Sequence, residues 1–242
     1  VPGTDDEPLL VADSWLVLDG AVRAMQRHVD RFTRSCLALG VVTTVELQEF
    51  WSAAVAGLPR SGAWFPRAEL VASGLQLRMR PAPVRGDSVQ VWVPDKPDRR
   101  IHPDRKGPDI EALGQLRKEA EHHGAQEALL MTPDGVVVEA SSSSVLWWED
   151  DVLCAPPEGI PALPGITATL VWELAVELGI PTDRRARRPA ELSGKEVWLL
   201  NALHGVRLVT GWAEDAITPG AGTRFSEWRE RVEQSRVRLG GL

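Results

Sequence analysis

Four prolines crowd the stretch from Pro94 to Pro108, and this stretch divides the chain more firmly than any other feature in it. Proline has no amide hydrogen and fixes φ. Neither a helix interior nor a central strand can therefore run through Pro94, Pro97, Pro103 and Pro108. Charged residues fill the gaps between them. That mixture reads as a connection between two bodies rather than as part of either. The expectation is an N-terminal lobe over residues 1–96, a connection over 97–107 and a C-terminal lobe over 108–242.

Hydrophobic spacing fills in the first lobe. Leu9 to Leu18 is largely apolar, and Asp19-Gly20 is a tight-turn signal leading into Ala21-Val22-Arg23, so a β-hairpin is predicted. Met25, Val29, Phe32, Cys36 and Leu39 recur at helical spacing, and Gly40 ends that helix. Thr44 is read as the cap of a second helix over roughly 45–58. Glu69 to Arg80 alternates and is read as a strand around Gly74, and Val89 to Val93 as another.

Past the connection, Ile110 to His123 has the stripe of a helix, closed by Gly124. Two hairpins follow, Ala128–Met131 with Val136–Val138 and Val145–Trp148 with Val152–Ala155. Thr167 to Leu178 is a helix ended by Gly179, and Val197 to Leu200 a strand. Helices mixed among mostly antiparallel strands make this an α+β chain of two lobes.

Composition closes off several classes of function. No apolar run approaches the ~20 residues that cross a bilayer, and the acidic start Val1–Glu7 does not resemble a signal peptide. Two cysteines, Cys36 and Cys154, are too few for a disulfide framework, which points to a reducing cytoplasm. No Cys/His cluster has metal-ligand spacing, so no metal is expected. A net charge of −7 argues against nucleic acid. The basic run Arg184, Arg185, Arg187 and Arg188 reads as a solvated loop.

Three places look chemical. Only Lys96, Lys106, Lys118 and Lys195 carry a side-chain amine, against 23 arginines. Lys106 lies in the interlobe connection, where desolvation and cationic neighbours can free it of its proton and make it a nucleophile or base. Glu139 ends an apolar strand beside Ser141–Ser144, where a carboxylate can hold a protonated ring nitrogen. Leu163-Pro164-Gly165-Ile166-Thr167 opens an amphipathic helix, whose first amides and Thr hydroxyl suit a phosphate. Each also has an ordinary reading, respectively a linker lysine, a strand-end charge and an N-cap.

The order of these elements resembles the class IV aminotransferases. The likeness runs continuously from Lys106 to about Val209, and more loosely from Asp19 to Phe32. It includes Gly124-Ala125-Gln126-Glu127-Ala128-Leu129, the Asp134-Gly135 turn and Glu139. Ala155-Pro156-Pro157, Leu163–Thr167, Glu196–Leu203 and His28-Val29-Asp30-Arg31-Phe32 complete it. The resemblance implies a two-lobed pyridoxal 5′-phosphate fold of type IV, like D-amino-acid aminotransferase, with a small N-terminal α/β lobe and a larger, mostly antiparallel C-terminal lobe. It implies Lys106 as the Schiff-base lysine and Glu139 on the pyridine nitrogen. Arg31, Ile166, Thr167, Asn201 and Ala202 would surround the phosphate. A small-molecule amine substrate and a homodimer, with the active site between lobes, are further implications.

Within that family the chain looks most like the 4-amino-4-deoxychorismate lyase branch. Asn201-Ala202-Leu203 matches its N-A-L run, and Ser14 falls where these lyases place a threonine that assists the reaction. The chain has no tyrosine, whereas branched-chain transaminases place one after the lysine; Ile110 stands there. There are departures from the family pattern. Ala168 replaces an arginine, Ser144 an asparagine, and Leu16 stands where a substrate-carboxylate arginine is common. A transaminase of D-amino or branched-chain amino acids is the alternative, and a non-catalytic family member that binds a ligand or scaffolds a dimer is a third reading.

Overall fold

The computed structural model describes residues 7–213 and 216–239; of the acidic start, Val1–Asp6 lies outside them. The chain divides into two compact units, one of Val1–Val84, Arg105–Asp109 and Ser235–Leu242, the other of Arg85–Asp104 and Ile110–Gln234. The predicted boundary at residue 96 thus moves. Val89–Val93 was placed with the first lobe, but it supplies a strand whose Val89 and Val91 are buried in the core of the second unit beside Val209. Nor is the proline-rich stretch a single crossing, because its last residues return to the first unit.

In the first unit, β1 (Val11–Ser14), β2 (Val17–Leu18) and β3 (Ala21–Arg23) lead to α1 (Met25–Leu39) and α2 (Thr44–Ala56). β4 (Ala63–Trp64), β5 (Arg67–Val71) and β6 (Gly74–Arg78) follow. The predicted hairpin over 9–23 is split: β1 joins a three-stranded sheet, β1-β5-β6, while β2 and β3 join another. The break falls at Trp15-Leu16, both of which are buried. The Trp15 ring packs 5.5 Å from that of Trp51 on α2. The single strand expected over 69–80 is the antiparallel hairpin β5–β6, with Gly74 at φ +123°. Helix α2 is capped by Thr43 rather than Thr44. Thr43 Oγ1 accepts from the Glu46 amide at 3.3 Å, and Glu46 Oε2 accepts from the Thr43 amide at 2.7 Å. That reciprocal box needs a carboxylate three residues on, and Glu46 fits Thr43 only.

The second unit begins with β7 (Ser88–Trp92), α3 (Ile110–His122), β8 (Glu127–Met131), β9 (Val137–Ala140), β10 (Ser144–Glu149) and β11 (Val152–Ala155). It continues with α4 (Ile166–Glu177), β12 (Thr182–Arg184), β13 (Val197–Asn201), β14 (Gly205–Ala213) and α5 (Phe225–Gln234). Its strands form one eight-stranded sheet, β12-β11-β10-β13-β14-β7-β8-β9. Parallel pairs at β11–β12, β14–β7 and β7–β8 interrupt the antiparallel order. One face packs Trp148 and Trp198 against Trp228 of α5 and, in the same cluster, Val171 and Ala175 of α4. The last strand, β15 (Arg236–Arg238), pairs with β3 in the first unit, giving the sheet β15-β3-β2-β4. Among the described residues no helix is long and apolar enough to cross a membrane.

The basic run is less solvated than expected. Glu149 accepts from Arg185 Nη1 at 2.6 Å and from Arg187 Nε at 2.8 Å, and Arg184 lies over the Trp172 ring at 4.6 Å.

Candidate active site

The site residues expected from sequence fall into two groups, one within each unit. In the first, Lys106 sits in a segment laid along β1. The Ala12 amide donates to the Lys106 carbonyl at 2.7 Å. Gly107 follows at φ +145°, and a Cβ there would lie 2.8 Å from Val11 Cα, so no other residue permits so close a docking. Two residues beyond Ala12, Ser14 is buried, and its Oγ accepts from Arg80 Nη2 at 3.3 Å.

Strand alternation decides what surrounds Ser14. Ser14 pairs with Arg67 across β1–β5, and Arg67 with Arg78 across β5–β6, so the three share one face. The same face carries Glu69, which is 1% exposed and accepts from Arg67, from Arg78 Nε at 2.7 Å and from Gln76 Nε2 at 2.7 Å. Arg80 continues the row, with burial and the nearby Arg67 lowering its pKa. Three guanidiniums against one carboxylate leave this face cationic.

Asp13 points the other way, onto α1. Its carboxylate accepts from Arg31 Nε at 2.8 Å, from Arg31 Nη2 at 3.0 Å and from His28 Nδ1 at 2.7 Å. Burial would raise the pKa of Asp13, but Arg31 and His28 outweigh it and hold the group well below the ordinary range. Burial likewise lowers that of His28, so a neutral ring donates its Nδ1 proton to an ionised Asp13. The orientation of Arg31 is fixed by this fork, which engages two of its three nitrogens.

In the second unit, Glu139 at the end of β9 is 5% exposed. Its Oε1 accepts from Arg100 Nη1 at 2.5 Å and from the Leu163 amide at 3.1 Å. Arg100 is itself held by Asp98, through Nη2 at 2.7 Å. Burial pushes the Glu139 carboxyl up, with Arg100 opposing. Among the described residues, Oε2 has no partner. The Leu163 link ties Glu139 to the start of α4, where Gly165 is the N-cap and supplies no side-chain bond. A Cβ at Gly165 would overlap the Ser144 hydroxyl. The first intrahelical bond runs from the Thr169 amide to the Gly165 carbonyl, so the amides of Ile166 and Thr167 precede it. Thr167 is 4% exposed, and its hydroxyl has no hydrogen-bond partner among the described residues.

Asn201 does something other than expected. Its Oδ1 caps the amides of Leu203 and His204, and its Nδ2 donates to Ser142 O and Ser143 Oγ. The side chain shapes the turn that carries Ala202 and is spent within the fold. The serine run is likewise occupied. Glu127, buried on β8, accepts from Ser141 Oγ at 2.6 Å, Ser142 Oγ at 2.5 Å, Ser143 Oγ at 3.2 Å and Arg207 Nη2 at 2.5 Å. Burial works to raise the pKa of Glu127, but Arg207 and the serines bring it below the usual value.

Sequence reasoning did not single out Arg100, Asp98, Asp13, Arg80 or the Glu127–Arg207 pair. A carboxylate inside an apolar strand, as at Glu127 and Glu139, is itself a signal that a buried cation must lie opposite.

One oxygen of Glu139 is unspent, and the start of α4 is uncapped beside a spare hydroxyl. Those features suit a protonated aromatic nitrogen and a phosphate, as a pyridoxal-phosphate enzyme of fold type IV requires. The chain belongs to the class IV amino-transferase family, whose model matches residues 10–212, and the family's cofactor is pyridoxal 5′-phosphate. Solved structures agree in fold. A branched-chain aminotransferase from Thermoproteus uzoniensis, solved with norvaline, is 19% identical with a TM-score of 0.80, covering 95% of this chain and 89% of its own. A protein from Legionella pneumophila provisionally named 4-amino-4-deoxychorismate lyase is 14% identical, TM-score 0.81, covering 97% and 96%. A hypothetical aminotransferase from Mycobacterium tuberculosis is 20% identical, TM-score 0.79, covering 96% and 90%. No curated protein matches the chain.

Proposed function

We infer that this chain is a pyridoxal-phosphate lyase that converts 4-amino-4-deoxychorismate to 4-aminobenzoate and pyruvate. The observation that supports this over a branched-chain transaminase is the cationic strand face beside Ser14. Arg67, Arg78 and Arg80 there outnumber Glu69, which suits a substrate bearing carboxylates better than an aliphatic side chain.

The bound cofactor supplies an electron sink for the bond broken at the amine-bearing carbon. Lys106 would hold it, and the Lys106 amine would serve as the base that takes the proton from that carbon. Glu139, through Oε2, would keep the ring nitrogen protonated. Thr167, the Ile166 and Thr167 amides, Arg31 and the Ala202 turn would neutralise the phosphate. Because Arg80 donates to Ser14 Oγ, the Ser14 hydrogen is left to be donated in turn. It is directed at the oxygen of the enolpyruvyl group as that bond breaks, and the ring becomes aromatic as pyruvate departs. A homodimer belongs to the same reading.

The test is an assay for pyruvate release from aminodeoxychorismate without any 2-oxo acid, alongside a cofactor absorbance titration of wild type and Lys106→Ala. Wild type should release pyruvate and bind the cofactor covalently, and the variant should do neither. Accumulation of the aminated cofactor with D-amino or branched-chain donors, and no pyruvate, would favour the transaminase.

A further inference from the structure

Arg105 differs from the arginines Arg31, Arg67, Arg78 and Arg80 of the same unit. Arg31 has Asp13, Arg67 and Arg78 share Glu69, and Arg80 has the Phe65 carbonyl and Ser14. Arg105 has no hydrogen bond or ion pair among the described residues, and its Nε is sealed from solvent with no acceptor. A buried donor on a charged group is costly to leave unmade, so the position calls for an acceptor that the described residues do not provide.

The backbone that carries Arg105 is not free to relieve this. The next residue, Lys106, is pinned by its carbonyl to the Ala12 amide, and Gly107 is jammed against Val11. Adjacent Cα atoms lie about 3.8 Å apart, so a molecule held at the Lys106 amine comes within the sweep of the Arg105 side chain. A guanidinium matches a carboxylate in a two-point fork.

We propose that Arg105 is a specificity-determining residue whose guanidinium binds a carboxylate of the amine substrate. The inference rests on the reading of Lys106 as the cofactor lysine. It goes beyond that reading by making recognition of an anionic substrate depend on the residue beside the lysine.

The experiment compares holoenzyme of wild type, Arg105→Met, Arg105→Gln and Arg105→Lys, with Lys106→Ala as a separate control. Two quantities are read: cofactor affinity by visible absorbance, and the dissociation constant of maleate, a dicarboxylate without an amine, by calorimetry. Loss of Arg105 should weaken maleate binding about tenfold or more, as expected for a charge-assisted pair, with cofactor affinity held within twofold. Arg105→Lys should recover part of the loss. Maleate affinity unchanged in Arg105→Met would overturn the proposal and leave water as the partner of Nε. A drop in cofactor affinity with maleate binding intact would also overturn it, by placing Arg105 on the phosphate. Arg105→Gln decides the matter if the methionine variant does not fold. Wild-type cofactor uptake by Lys106→Ala would instead sink the reading of Lys106, whichever way maleate behaves.

Discussion

Replacing Glu127 by glutamine keeps the shape of the side chain and removes its charge. In the native chain that carboxylate accepts from Arg207 Nη2 at 2.5 Å, from the hydroxyls of Ser141, Ser142 and Ser143, and from the Ser142 amide at 2.9 Å. The substitution strands Arg207, whose Nε already has no partner, and turns an amide NH₂ toward groups that donate. Breaking a buried pair by removing one partner costs about 3–5 kcal/mol. The isosteric amide keeps some bonds, so about 3 kcal/mol is expected. For a domain of this size that lowers the melting temperature by roughly 6–12 °C. Scanning calorimetry of Glu127→Gln, Arg207→Met and the double variant measures it, and the double should cost clearly less than the two singles together. The pH dependence has a definite sign. The folded-state pKa of Glu127 is lowered, so its contribution is complete above the ordinary glutamate value of about 4.3 and is lost as pH falls through the folded value. Glutamine should remove that part of the acid sensitivity. A cost below about 1 kcal/mol with additive singles would refute the reasoning that Glu127 and Arg207 act as a coupled buried pair.

Three further outcomes follow from local geometry. Gly107→Ala forces a Cβ to 2.8 Å from Val11 Cα at a φ of +145°, so stability should fall by about 2 kcal/mol or more and cofactor uptake should weaken in an absorbance titration. Arg100→Met leaves burial of Glu139 opposed chiefly by the Leu163 amide, which drives the carboxyl pKa further up; cofactor affinity should then fall off at a higher pH than in wild type. Thr43→Ala should cost about 1 kcal/mol by denaturation, while Thr44→Ala should stay within about 0.5 kcal/mol, because only Thr43 makes the reciprocal box with Glu46.

Helices α1, α3 and α4 and the hairpins of the second unit were legible because each has a buried stripe or strand bounded by turn residues. Sheet membership was not. Leu9 to Leu18 reads as one apolar run, and nothing local says that Val11–Ser14 and Val17–Leu18 part company at Trp15; that depends on where the indole packs. The turn inside residues 69–80 did leave a trace. Apolar positions are even-numbered at Leu70 and Ala72 and odd-numbered at Leu75, Leu77 and Met79, which is the phase slip of a hairpin. Val89–Val93 was recognised as a strand but given to the wrong unit, since a parallel partner 120 residues away leaves no sign in its own sequence. Helix α5 and strand β15 were not read from the sequence, although Phe225, Trp228 and Val232 of α5 recur at helical spacing among charged residues.

The candidate site shows a finer limit of the same kind. Composition marks a buried carboxylate as unusual but cannot say whether its charge serves the fold or a ligand. Lone-pair accounting can. Asp13 spends both oxygens on Arg31 and His28, Glu69 both on Arg67, Arg78 and Gln76, and Glu127 both on Arg207 and the serine turn. Glu196 likewise spends both, on Trp198, Thr223 and the Arg224 amide. Glu139 is neutralised in the same way, by Arg100, yet that pair and the Leu163 amide all fall on Oε1. The fold therefore meets the cost of burying Glu139 while keeping one acceptor in reserve. A carboxylate kept only for stability would gain from a second donor, and Ser144 is close in sequence to provide one. That it does not is the observation that favours Glu139, rather than the more deeply buried Glu127, for the proposed role at the ring nitrogen of the cofactor.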